Sequence, residues 1–178
     1  MASDGFTSKK VKIYVNETND DLSVTAGVVT QTALDTFTGD AETKNFTSAL
    51  SKSDNDGGDS KLSKDDLLGG GAITFNESRD MLKNSWDVVV LKSKKEYFDK
   101  LQYGESLNSA GDAKIVSILL IAEDDADVYG RFYKNVSSVK FKLGVEAGKY
   151  LKGSMDLETA PTDPDGNPNM SVITSITS

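Results

Sequence analysis

Neither cysteine nor histidine occurs anywhere in the 178 residues. Together the two absences remove disulfides, thiolate nucleophiles, the usual zinc sites and imidazole general bases. Catalysis, if there were any, would rest on carboxylate, lysine, serine and tyrosine. Long apolar runs are missing too: the longest, IVSILLIA from Ile115 to Ala122, is eight residues and includes a serine, against the ~20 that a spanning helix needs. No membrane span is expected. The opening MASDGFTSKKVK has no apolar stretch behind a basic head, so no secretory signal is expected either. Positive charge is in deficit, with 20 Lys and Arg against 28 Asp and Glu, a net charge of -8 and a pI near 4.6. Phosphate neutralisation supplies most of the affinity of nucleic-acid binders, so this balance argues against a protein built to hold nucleic acid. It does not argue against one that DNA must pass without sticking.

What is present is 37% apolar and 27% charged residues, a folded, polar-leaning composition long enough for one domain with a real core. KVKIYV, Lys10 to Val15, alternates as a half-buried strand does. Leu22 to Gln31 is rich in valine and threonine and reads as a second strand with an irregularity at Gly27. From Thr32 to Ser53 only Leu34, Phe37, Phe46 and Leu50 stand out as anchors. Further strands are expected at AITFNES from Ala72, at Trp86 to Lys92, at Lys114 to Glu123, and through YGRFYKN, SSVKFKLGVEAG and KYLKGSMDLET. SKKEYFDKLQY, Ser93 to Tyr103, puts Tyr97, Phe98 and Leu101 on one helical face, with Ser93 as N-cap. The reading is a mainly β chain, a β-sandwich or barrel-forming set of sheets with one flanking α-helix and a long polar loop. One domain spans 1–160, with the loop at about 38–71, and a C-terminal tail at 161–178 carries all three prolines.

Within the loop, SKSDNDGGDSKLSKDDLLGGG (Ser51 to Gly71) invites a calcium reading, since Asp54 and Asp56 have the spacing of a helix-loop-helix calcium site. Such a loop wants oxygen at its fifth position, glycine at its sixth and glutamate at its twelfth. Counting from Asp54 finds Gly58, Asp59 and Asp65 there, so a solvated turn is the better account. GVEAGK (Gly144 to Lys149) has the wrong glycine spacing for a phosphate loop, has Tyr150 where Ser or Thr should follow, and reads as a hairpin turn. Ser137-Ser138-Val139-Lys140 has Ser-x-x-Lys spacing, but in a strand residues three apart point to opposite faces. The acids Glu123, Asp124, Asp125 and Asp127 read as a solvated turn. Arg131 to Lys152 mixes six positive charges with Phe132, Tyr133 and Phe141, a composition suited to single-stranded nucleic acid, although strand alternation divides it between two faces. Lone Trp86 reads as core.

With chemistry nearly excluded, association remains. The size, the missing cysteine and histidine, the acidic balance and an N-terminal strand pair all enter the comparison. So do the long polar loop, the single mid-chain helix and the closing strands FYKNVSSVKFKLGVEAGKYLKGSMDLET. From about Lys10 to Thr159 these features together resemble the major tail tube proteins of long-tailed bacteriophages. The resemblance implies a structural virion protein with no enzyme activity and no cofactor, assembled in the host cytoplasm as part of the tail. Its subunits would form hexameric rings that stack into a tube through which DNA passes without specific binding. Partners would be further copies of the chain and other tail proteins such as tape measure, terminator and baseplate. The subunit interface is expected to include the loop residues Asp54, Asp56, Asp59, Leu62, Leu67 and Leu68. Two other classes stay open: a capsid-decoration or adhesion-type β-sandwich binding module, and a carboxylate-dependent hydrolase for which no nucleophile, base and orienter can be named together.

Overall fold

A computed structural model describes residues 11–46, 50–56, 62–66, 72–76, 81–90, 92–94, 96–108, 110–124, 127–145, 147 and 151–178. In chain order these form β1 (Val11–Asn16), β2 (Val28–Thr30), α1 (Gln31–Gly39), β3 (Thr43–Asn45), β4 (Leu50–Asp56), β5 (Leu62–Asp66) and β6 (Ala72–Asn76). They continue with β7 (Leu82–Val89), α2 (Tyr97–Tyr103), β8 (Ile115–Asp124), β9 (Asp127–Gly144), β10 (Lys152–Thr159), β11 (Met170–Ile173) and β12 (Ser175–Thr177). The protein is mainly β, as the alternation patterns led us to expect, and among the described residues it has two α-helices rather than one.

The principal sheet runs β3-β1-β8-β9-β10-β7-β4, with β11 also paired to β9. The unbroken apolar run of β8 follows from its place in this sheet. Val116, Ile118 and Leu120 enter one core with Ile13, Val15, Trp86, Met155 and Leu157. Leu119 and Ile121 point the other way, into a second core with Leu34, Phe37, Phe132 and Ile173. A strand covered on both faces has no polar side to show, which is why its sequence does not alternate.

The 18 residues of β9 serve both halves of the sheet. Its first half lies between β8 and β11, and its second half pairs with β10. Between the halves the β8 register slips: Val116 faces Val136, but Ile118 faces Tyr133. The one extra residue makes a bulge, and Asn135 there has φ +53°, a left-handed conformation that asparagine tolerates better than most residues. Asn135 is held by its neighbours: its backbone N–H donates to Asn19 Oδ1 at 2.9 Å, Asn19 Nδ2 donates to Asn135 Oδ1 at 2.8 Å, and Asn135 Nδ2 donates to Asn169 Oδ1 at 2.8 Å. A bulge of this kind bends and twists a strand, re-aiming it from one layer toward the other.

Three expectations are corrected. The stretch expected as a loop at about 38–71 is not one long loop: it contains β3, β4 and β5, and it is preceded by a helix, α1, among the scattered anchors. Leu34 and Phe37, three apart, are the buried face of α1, and Phe37 meets Phe132 edge-on at 5.5 Å. Thr30 caps the helix by accepting from the Ala33 N–H, so the second strand ends at Thr30 and Gln31 begins α1. Phe46, fully buried, packs a tilted ring against Tyr97 at 4.2 Å and meets Phe98 edge-on at 5.7 Å. Second, α2 starts at Tyr97 with Glu96 at its N-cap position, while Ser93 lies in a preceding 3-10 turn. Third, β7 begins at Leu82, four residues before Trp86, because buried Asn84 occupies an inward position and disguises the alternation. The tail residues form β11 against β9 and β12 in parallel with β2.

Candidate assembly surface

The second half of the principal sheet is a four-stranded unit: Ser138–Gly144 of β9, then β10, β7 and β4, each antiparallel to the next. Its inner face is core, where Phe141, Met155, Trp86 and Val88 meet, and α2 closes it with Phe98 at 5.9 Å from the Phe141 ring and Gln102 accepting from Ser138 Oγ at 2.7 Å. Gly153 makes this packing fit, since a Cβ there would lie 2.8 Å from the Phe141 ring. A cluster of ions fixes the chain after α2. Lys114 pairs with Glu17 at 2.9 Å and with Glu105, and Lys100 pairs with Glu105 at 3.2 Å. Hydrogen bonds from Lys114 and Lys100 hold the Glu105 carboxyl below the usual carboxylate range. For Lys114, burial works against the charged form, and the bonds to Glu105 and Glu17 outweigh it, so its ammonium is held above the ordinary lysine value. Burial, with the charge of Glu17 in second place, pushes the Tyr97 phenol well above its ordinary range.

The outer face is mostly polar, with half-buried Val89 at the end of its β7 row. On β7 it carries Lys83, Ser85 and Asp87, and on β10 Ser154, Asp156 and Glu158. Ser85 Oγ donates to Asp156 Oδ1 at 3.0 Å, and Lys83 lies 3.8 Å from Glu158. Lys140 and Lys142 of β9 stand in the same rows, opposite Asp156 and Ser154, and both are exposed.

Both sides of this unit are open among the described residues. Ile115 of β8 and Glu158 of β10 reach Ser137 from opposite edges of β9, and β8 goes no further, so from Ser138 to Gly144 the β9 edge that β8 would cover has no strand beside it. On the far side β4 pairs only with β7. At the Gly144 end of β9 and the Lys152 end of β10 the strands also outrun the core, leaving Leu143 51% and Val145 88% exposed, with Leu151 exposed as well; Val139 is exposed at the register shift where β9 passes Asp156 and Leu157. Unpaired edges and projecting apolar side chains are the features that soluble proteins ordinarily cover or blunt.

Of the expected interface residues, Asp54 and Asp56 lie on the open strand β4, opposite Ser85 and Lys83. Leu62 begins β5, in the separate β5–β6 hairpin opposite Asn76. Asp59, Leu67 and Leu68 lie outside the described residues. Sequence reading missed the exposed apolar residues Val139, Leu143, Val145 and Leu151, because alternation does not show where the core beneath a strand ends. The basic and aromatic stretch does not make a stacking platform: Phe132 and Tyr133 are buried, Arg131 bonds the Tyr129 and Tyr133 hydroxyls at 3.1 and 3.5 Å, and Lys134 pairs with Asp21 at 3.1 Å. Among the described residues no group of three or more acidic side chains is placed to hold a metal. Ser137 to Lys140 lie in a strand, as read; of GVEAGK, Gly144 ends β9 opposite Lys152, and Glu146, Gly148 and Lys149 lie outside the described residues.

The fold defined by this sheet and its two cores is one found in subunits of contractile injection systems. Over 98% of this chain and 99% of the other, it is similar to a chain in the sheath/tube terminator of an extracellular contractile injection system, PVC, in its extended state, with TM-score 0.61 and 9% identity. A chain in the PVC sheath-tube complex in the extended state has TM-score 0.60 at 9% identity over 98% of this chain and 93% of that one. The tube-terminating cap of the anti-feeding prophage gives 0.59 at 7% identity over 98% and 95%. At such identities the likeness is one of fold. No family model and no curated protein matches the sequence.

Proposed function

We propose that the chain is a structural subunit of a phage-tail-like tube, closing into hexameric rings that stack. The observation that carries this reading is the four-stranded unit open on both sides. A sheet with one open edge can only pair once, whereas two edges on opposite sides let each copy join two neighbours and close by rotation. Closure removes every edge of that sheet. The end of β9, with Leu143 and Val145 in solvent, suits the contact from one ring to the next. Support also comes from the shared fold with chains of sheath-tube, terminator and baseplate assemblies, one of them described as six-fold symmetrised. Four strands from each of six copies would give a barrel of about 24 strands, and at ~4.8 Å spacing its backbone diameter is at least ~37 Å. Such a bore admits a DNA double helix. The polar face of the unit would line it, and because acids and lysines alternate there it offers phosphate no continuous positive track. On this reading the chain works without a cofactor and without catalysis, alongside sheath, terminator, tape-measure and baseplate proteins, in the tail of an assembled particle.

Negative-stain microscopy and sedimentation of the purified protein test the proposal. Six-fold rings and stacked tubes are expected at high concentration; a monodisperse monomer under all salt conditions would overturn it. Closed rings that never stack would assign the chain to a tube end instead of the shaft.

A further inference from the structure

The ring just proposed can be closed through its sheet only if particular edges meet, and strand direction decides which. Neighbouring strands of the unit are antiparallel throughout, so its two outer strands, β9 and β4, run in opposite directions. Copies related by rotation keep their strand directions. The β4 edge of one copy therefore meets the open β9 edge of the next in antiparallel fashion, and the alternation continues around the ring. Pairing β9 with β9, or β4 with β4, requires a two-fold axis and ends in a dimer.

Charge then selects the register. Within one copy, Lys140, Asp156, Ser85 and Asp54 form one row across the four strands, and Lys142, Ser154, Asp87 and Lys52 form the next. Because side chains alternate faces, only even offsets at the seam keep the polar face continuous. A level seam sets Lys140 opposite Asp54 but Lys142 opposite Lys52. An offset of two in one direction sets Lys140 opposite Lys52, a plain repulsion. The same offset in the other direction sets Lys142 opposite Asp54 and Lys140 opposite Asp56, two opposite-charge pairs and no clash. A tilted, closed sheet also requires a stagger of its strands. Among the described residues neither Lys140 nor Lys142 has an ion partner within its own subunit, in contrast to Lys12, Lys83, Lys100, Lys114 and Lys134. Resting on the ring reading above, we propose that each seam joins β9 to the next copy's β4 in the register that places Lys142 opposite Asp54 and Lys140 opposite Asp56.

Two charge-reversed proteins test this directly. Lys140→Glu with Lys142→Glu makes one chain acidic on both edges, and Asp54→Lys with Asp56→Lys makes the other basic on both. Each folds as a monomer by circular dichroism and fails to form rings alone, while a one-to-one mixture forms rings, because alternating the two around an even-numbered ring restores opposite charges at every seam. The absence of native cysteine supplies the register readout. Oxidised assemblies of a Lys142→Cys, Asp54→Cys double variant give a ladder of linked subunits on a denaturing gel, and those of Lys142→Cys, Lys52→Cys do not. Rings from either reversed protein alone, no rings from a mixture of the two folded proteins, or a ladder only from the level pair would each overturn the assignment. Failure of the unaltered protein to form any ring is a different result, and it overturns the ring itself.

Discussion

Two buried asparagines stand in opposite conditions. Asn16 spends its whole side chain: Nδ2 donates to Thr43 and Asp20, while Oδ1 accepts from Thr18 and from the Asp20 N–H, so one residue organises the turn after β1. Asn84 is only 1% exposed, and neither its Oδ1 nor its Nδ2 has a partner. A buried amide without partners costs about 1–3 kcal/mol, and an apolar group of similar shape avoids that cost. Asn84→Leu, with the same number of side-chain heavy atoms, is accordingly expected to raise stability by about 1–2 kcal/mol, read as a higher urea midpoint at unchanged slope; a lower midpoint would mean the amide is bonded in solution. The same residue shows a limit of legibility. Leu82, Trp86 and Val88 alternate cleanly inward, but a polar residue in the middle of that row breaks the pattern that sequence reading depends on. The anchors Leu34, Phe37 and Phe46 were visible as apolar residues and not as elements, because the threonines between them are weak helix formers.

At the scale of elements, the bend in β9 is the feature on which both halves of the sheet depend. Strands flanking it were legible from alternation. The bulge was not, since nothing local in YKNVSS marks two residues that lack opposite partners in β8. Only the register and the positive φ of Asn135 reveal it. Asn135→Val places a β-branched residue in the left-handed region and removes the bonds to Asn19 and Asn169, so a loss of about 2–4 kcal/mol is expected. Asn135→Gly keeps the backbone conformation and should lose less. Equilibrium unfolding of the two variants separates strain from bonding; equal losses would show that the conformation itself contributes little.

For the molecule as a whole, closure comes from distant pairings. β1 lies against β8, and Val28–Thr30 of β2 pairs in parallel with Ser175–Thr177 of β12, joins that no local pattern announces. The second core is finished from the same region, since Ile173 is fully buried among Leu119, Ile121 and Phe132. A chain shortened to end at Asn169 loses β11 and β12 and uncovers those side chains. It is expected to lose cooperative thermal unfolding and to bind a hydrophobic dye, and a sharp transition in that chain would show the second core to be dispensable.

The order of these pairings also governs timing. On a ribosome adding about 5–20 residues per second, β4 and β7 emerge several seconds before β10. Until β10 arrives, β7 has no strand on its second side, and β9 is joined to β8 but not to β7 and β4. In the ring proposed above, the two joining edges would therefore belong to one sheet only after β10 has been made.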